Sequence, residues 1–278
     1  MRLIILILLA SCAWRPATGQ NLDVGVLLGG STYEGEVAPA EILDYLKTYR
    51  PAVGFFARYN FTDNLALRSD LRYATIFGDD AISDRSRNFN FRTRLAEWTI
   101  LGEWAPFSLH LGRGTSVQPF GQVGGGLLYF QPQGLRNNEY FDLQPLGTEG
   151  QGLPGYPQPY TPFTYVLTGG GGLKINFNET WGLSVEGALR YAGSDYLDDI
   201  STTPVTYRDV LDGNGSLAAY FSRPNFDLDA DNPDASYVRG GPATDFIFMA
   251  VATFYVRLGT GNRLRIGRRD QLGCPTNF

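Results

Sequence analysis

The chain is poor in the residues on which most hydrolytic and metal chemistry depends. It has two cysteines, Cys12 and Cys274, and one histidine, His110. Once an N-terminal signal is removed only Cys274 is left, and a lone thiol closes no internal disulfide. Lysine is nearly absent beside arginine, charged residues make up 18% of the sequence, and the net charge is −5. That balance leaves no basic footprint for wrapping nucleic acid. After position 10 there is no apolar run near the roughly 20 residues that a transmembrane helix needs. What is abundant is glycine, at 34 residues, together with aromatics at 14%. Such a composition favours strands and turns over helices.

Met1 and Arg2 precede an unbroken apolar stretch from Leu3 to Ala10. A short positive start followed by an apolar segment of this length predicts a secretory signal over 1–20. Ala17-Thr18-Gly19 offers small residues for cleavage before Gln20. Leu9-Ala10-Ser11-Cys12 offers a second reading, a lipobox with Cys12 as the acylated residue. Simple cleavage is preferred, because the lipobox would leave an unusually short signal.

From residue 21 to 258 apolar and polar residues alternate in segments of about ten residues, separated by Gly, Asn, Asp and Pro. In the segment 181–191, Trp181, Leu183, Val185, Leu189 and Tyr191 oppose Ser184, Glu186 and Arg190. This is the period of a strand with one apolar and one polar face. The same reading fits 53–61, 65–73, 97–104 and 246–258, and with 22–29, 117–130 and 164–176 it gives about eight strands. The expected fold is all-β: one small antiparallel transmembrane β-barrel with short turns at one end and long loops at the other. Aromatics near strand ends (Tyr59, Phe61, Tyr73, Trp98, Trp104, Tyr129, Trp181, Tyr191) suit interfacial girdles. The opposite face carries Asp23, Arg58, Arg68, Asp70, Arg72, Glu97, Glu103, Glu186, Arg190 and Arg257. Charges of matched sign on one shared face suit a narrow lumen packed shut by paired side chains. A soluble barrel with its apolar face inward has the same periodicity.

Connections alternate in length. Turns at 61–64 and 176–180 are tight, whereas 30–49, 77–91, 131–163 and 193–244 are long. Outer-membrane barrels keep short turns periplasmic and long loops outside, so both termini are expected in the periplasm. The last loop is rich in aspartate. The tail 259–278 carries Arg263, Arg265, Arg268 and Arg269, a basic segment suited to a periplasmic partner.

Candidate chemical motifs are weak. Parity places His110 on the periplasmic side, whereas barrel enzymes that pair histidine with serine or aspartate work toward the outer leaflet. Asp70 and Glu97 could form an acid–base pair, but arginines alternate with them, which favours salt-bridged packing. The run Gly169–Gly172 lacks the following Gly-Lys-Ser/Thr of a phosphate loop. Asp227-Leu228-Asp229-Ala230-Asp231-Asn232 spaces oxygens as a calcium loop does, yet lacks its glycine and distal glutamate. No enzyme, cofactor or metal centre is expected.

Several segments carry a family resemblance. They are Val24 to Gly30, Leu-Gly-Thr-Glu-Gly-Gln-Gly (146–152), Gly-Gly-Gly-Gly-Leu-Lys (169–174), Glu186 to Arg190, Ser-Asp-Tyr-Leu-Asp-Asp-Ile-Ser (194–201) and Cys274 to Phe278. In this order they resemble the PorG-like outer-membrane barrels of Bacteroidetes. The most specific pieces are Thr148, Glu149, Gly150, Gln151 and Gly152, and Asp195, Tyr196, Asp198 and Asp199. The resemblance implies an accessory or assembly component of the type IX secretion system, partnered by a periplasmic ring lipoprotein and its companion. The lipobox-like segment is not part of that pattern. The alternative reading is a surface adhesion or ligand-binding barrel acting through the loops 131–163 and 193–244. A third is a soluble lipocalin-like carrier, which would turn the charged face outward.

Overall fold

Period-two alternation can bury only one face, and here the chain buries the charged one. In a computed structural model the described residues are 22–258, apart from positions 36, 40, 42, 43, 84, 113 and 242–244. The segment 1–20 with Cys12, and the tail with Arg263, Arg265, Arg268 and Arg269, lie outside the described residues. Eight strands form the wall: β1 (Leu22–Glu34), β2 (Arg50–Asn60), β3 (Leu65–Asp79), β4 (Asn90–Trp104), β5 (Thr115–Arg136), β6 (Phe163–Asn176), β7 (Trp181–Ala192) and β8 (Phe246–Leu258). Each pairs antiparallel with the next, and β8 closes the ring onto β1 in register from Leu22 opposite Leu258 to Glu34 opposite Phe246. Closure leaves no unpaired edge in the wall.

Outside, the wall is an apolar belt. Along β4, Trp98, Ile100 and Trp104 are exposed while Thr99, Leu101 and Glu103 between them are buried. Leu28, Phe55, Leu71, Leu127, Leu167, Val185 and Phe254 continue that exposed surface around the ring. An apolar area that encircles a domain far exceeds the few hundred Å² that soluble monomers show, so this wall faces lipid. The soluble-carrier alternative, which needs the charged face outward, is corrected by this arrangement. Aromatic rings rim the belt. Phe177, Trp181 and Phe254 lie in series at the turn end, with centroids 4.6 and 5.8 Å apart. At the loop end Tyr165, Tyr191 and Phe246 do the same at 6.2 and 5.6 Å. Trp98, read as a strand-end aromatic, instead lies well inside β4, and its indole N–H donates to Ser69 Oγ at 3.1 Å.

The turn end is built from side-chain caps. Thr62 Oγ1 accepts from the amides of Asn64 and Leu65, and Asn178 Oδ1 accepts from those of Thr180 and Trp181. Hydroxyl and amide side chains satisfy tight turns in this way. Strands run further toward the loop end than their outer apolar pattern suggests: β1 continues to Glu34, β3 to Asp79 and β5 to Arg136. Above the belt polar residues such as Thr75 and Asp79 on β3 and Gln131 and Gln133 on β5 enter the outward positions, so the alternation fades while the hydrogen-bonded ladder continues.

The loops fold back into the barrel. Loop 193–245 carries α2 (Tyr207–Asn214) and α3 (Ser216–Ser222), after the single helical turn α1 (Tyr45–Thr48) in the first loop. Val37, Leu143, Leu197, Ile200 and Phe221 from loops pack on Ile76, Phe91, Leu95, Leu128, Phe130, Ile247 and Met249 from the wall. The lumen is thus charged toward the turn end and apolar toward the loop end. The sequence reading placed only paired charges inside. In β8 both faces are apolar over 246–252, so period two has no contrast there to show the inner set.

Candidate functional site

The ten charged residues read as lumen-facing all point inward, nine of them buried and Arg257 partly exposed at the turn end. Asp23 accepts from Arg58 at 2.8 Å and Arg257 at 2.9 Å. Arg58 also reaches Glu103 at 3.5 Å, and Arg68 reaches the same carboxylate at 3.2 Å. Arg68 is the hub, bonding in addition to Asp70 and Glu186, each at 2.6 Å. Arg72 bridges Asp70 and Glu186 at 2.6 and 2.9 Å, and Arg190 holds Glu97 at 2.9 Å. Lys174, which the sequence reading missed, completes the set by pairing with Glu103. Parity could have found it, since Val166, Thr168 and Lys174 share the buried face of β6. Asp70 and Glu97, weighed as an acid–base pair, are each neutralised by their own arginines. At the turn end of the network a small void, lined by Arg58, Glu103 and Lys174 together with Asn60, Asn64 and Asn176, measures about 20 Å³, room for about one water.

A second buried polar cluster lies in the loop cap. The two segments that carry the family resemblance meet there. Thr148 donates to Asp199 Oδ2 at 2.5 Å, and Glu149 accepts from the amide and hydroxyl of Ser201 at 2.8 and 2.5 Å. Arg239 joins them: it donates to Thr148 Oγ1 and to the Asp199 carbonyl at 2.6 Å each, and lies 3.3 Å from the Asp199 carboxylate and 3.6 Å from Glu149. Asp199 holds φ at 65°, a left-handed conformation that asparagine and aspartate tolerate better than bulkier residues. Tyr160 donates to Asp199 at 2.6 Å and stacks on Tyr196 with centroids 4.3 Å apart. Burial pushes the carboxyls of Glu149 and Asp199 above their ordinary values, with the nearby Arg239 pulling the other way. Burial, then the Asp199 charge, lift the Tyr160 phenol well above its usual value. Asp198 faces Tyr33, whose hydroxyl is 2.8 Å from it and 2.5 Å from Asp245. Asp195 is half-buried near Tyr191, and Gly150 and Gly152 adopt positive φ at the bends of the first segment. The buried Gln151 accepts from the Glu149 amide at 2.9 Å.

Beside this cluster a cleft of about 630 Å³ opens among Arg87, Phe89, Ile200, Arg223 and Tyr237. The acidic run near it is self-satisfied. Asp231 pairs with Arg223 at 3.1 Å and accepts from the Asp227 amide, and Asp227 accepts from the Asp229 amide. Among the described residues no three acidic, histidine or cysteine side chains gather as a metal site. His110 sits exposed in a short strand, Leu109–Gly112, at the turn end. The Gly169–Gly172 run is strand, not a phosphate loop.

A closed antiparallel barrel of eight strands with a lipid-facing wall and a filled lumen defines a small outer-membrane β-barrel. Residues 1–145 match DUF6089, described as a domain of unknown function, and the chain belongs to that family. No curated protein matches it. Among solved structures it is similar to Neisserial surface protein A, at 8% identity over 85% of this chain and 97% of that one, with a TM-score of 0.40. It is also similar to OprG from Pseudomonas aeruginosa, at 11% identity over 87% and 95%, TM-score 0.34. A third similarity is to Ail of Yersinia pestis, solved with the heparin analogue sucrose octasulfate, at 10% identity over 85% and 97%, TM-score 0.31.

Proposed function

We propose that this barrel is a non-catalytic accessory or assembly component of the type IX secretion machinery, docked to a periplasmic ring lipoprotein and its partner. In this reading the long loops face outward and both chain ends face the periplasm. The observation that carries it is the meeting of Thr148–Glu149 with Asp199–Ser201 on Arg239. The segments behind the family resemblance are parts of one buried cluster, so their joint occurrence marks a shared cap. The ion-packed lumen supports a scaffold role over transport of cargo through this chain. The basic tail with Arg263, Arg265, Arg268 and Arg269 is the proposed partner contact. The test is a pull-down of tagged protein from detergent-solubilised outer membranes, read by mass spectrometry. Recovery of a periplasmic lipoprotein ring, lost on deletion of 259–278, is the expected result; recovery of the barrel alone sinks the reading.

The 630 Å³ cleft favours a second reading, a surface adhesion or ligand-binding barrel. Activity would then survive deletion of the tail and fail on substitutions at Arg223 and Tyr237 in the cleft.

A further inference from the structure

The outer wall is not uniform around the ring. Across β2 to β6 it is indented by a groove of about 520 Å³, walled by Phe55, Tyr73, Trp98, Tyr129 and Phe163. Its floor follows from Ala96, whose methyl stands between the rings of Tyr73 on one neighbouring strand and Tyr129 on the other. The next outward residue of β4 toward the loops is Arg94, exposed, and the one after it is Arg92. Two residues along a strand span about 6.8 Å, so Arg94 stands at the groove's loop-side mouth. Arg92 lies 3.5 Å over the Tyr140 ring and donates to Gln133 at 2.6 Å. It faces Phe77 across the ladder, and the Arg50 guanidinium lies 4.2 Å over that same ring. The nearby acid, Asp142, is taken up by the side-chain amides of Gln131 and Gln133. Among the described residues nothing pairs with Arg94.

The opposite wall differs. The outward residues nearest the loops on β6, β7 and β8 are Phe163, Tyr191 and Phe246. Among the described residues, Arg92 and Arg94 stand at that level on β4, whereas β6, β7 and β8 present aromatic rings there. At that level a membrane offers the phosphates of its lipid headgroups, and a cation there gains from their charge.

We propose that this face holds a phosphorylated acyl lipid of the leaflet at the loop end, with an acyl chain in the groove and the phosphate on Arg94 and Arg92. The tyrosines at the mouth, Tyr73 and Tyr129, flank the junction between chain and headgroup. Binding is a contact of charge and shape with no covalent step, and it is independent of the secretion reading.

The test uses the full chain in detergent micelles and native mass spectrometry to count bound lipid. The probes are dipalmitoyl phosphatidic acid, dipalmitoylglycerol and inorganic phosphate. The parent protein is expected to prefer phosphatidic acid to the diacylglycerol by at least about fivefold, the discrimination one arginine supplies near a charged headgroup. R94Q lowers that preference several-fold while Arg92 remains, A96W fills the groove and weakens both lipids, and R208Q on the remote α2 leaves binding unchanged. The heat-dependent mobility of folded barrels on gels verifies each variant. Arg94 points outward and has no packing role to lose. The proposal is overturned if R94Q keeps the parent's preference, or if A96W keeps its affinity. It is also overturned if inorganic phosphate competes as well as the lipid does, since the site would then bind anions and not a lipid.

Discussion

At the scale of single residues, the molecule puts two arginines to opposite tasks. Arg68 sits fully buried among three carboxylates, Asp70, Glu103 and Glu186, in the charged part of the lumen. Removing one partner of a buried network strands the others, at a cost of about 3–5 kcal/mol. Arg68→Met is therefore expected to lower the unfolding free energy of the micelle-refolded barrel, read from its urea midpoint and slope, by an amount in that range, and adding Glu186→Leu to recover part of it. The exposed pair Arg208–Asp234 is the control, where R208Q should cost about 0–1 kcal/mol. A midpoint unmoved by Arg68→Met would deny the network its structural role. Arg239 faces two carboxyls that burial lifts above their ordinary values of 3.8 for Asp199 and 4.5 for Glu149. For groups raised in the folded state the contribution to stability is fully present below those ordinary values. It is lost as pH rises through the raised ones. The other titratable group facing Asp199 is Tyr160, itself pushed upward and so neutral throughout this window. Amide exchange across 196–201, corrected for its intrinsic pH dependence, should show more frequent opening at pH 7 than at pH 4. Asp199→Asn should flatten the trend, and protection that instead grew with pH would count against the assignment.

At the scale of elements, the strands were legible because lipid outside and ions inside give period two its strongest contrast. In β7, Val185 against Glu186 and Leu189 against Arg190 announce both faces at once. The contrast fails where the loop plug makes the lumen apolar, which is why Ile247 and Met249 did not read as core. The cap was half-legible. Thr148–Gly152 and Asp195–Asp199 stood out as segments, but their joining by Arg239 depends on a residue 40 positions beyond Asp199 that no local pattern marks. Glycine in β5 shows how an element can depend on what it lacks. A Cβ on Gly126 would stand 1.9 Å from the Trp98 carbonyl oxygen, and one on Gly124 would stand 2.0 Å from that of Ile100. The β4–β5 seam thus closes at a distance that only glycine permits. Gly126→Val is expected to prevent refolding into the heat-modifiable form, whereas Gly169→Ala, where a Cβ meets nothing within 4 Å, should refold as the parent does. Refolding of both would show that the seam relaxes.

At the scale of the whole molecule, the question is whether a barrel in a membrane must conduct. Eight strands enclose little more than their own side chains. Here that interior is filled twice, by five carboxylates with six cations near the turns and by loop residues such as Phe221 and Leu143 near the other mouth. A hydrated ion would have to displace both the ion-pair network and the apolar plug. The void beside the network at the turn end is only about 20 Å³, whereas an aqueous channel needs the width of far larger barrels. Protein reconstituted into planar bilayers is accordingly expected to give no discrete conductance steps. The two seals are in series, so weakening one alone should leave the bilayer silent. Phe221→Ala loosens the plug but leaves the network around Arg68 in place, and Arg68→Met does the reverse. Only the double variant, if it folds by the gel-mobility criterion, should admit ions. Steps from the parent protein would overturn the sealed-lumen assignment, and steps from either single variant would show that one seal carries the whole barrier.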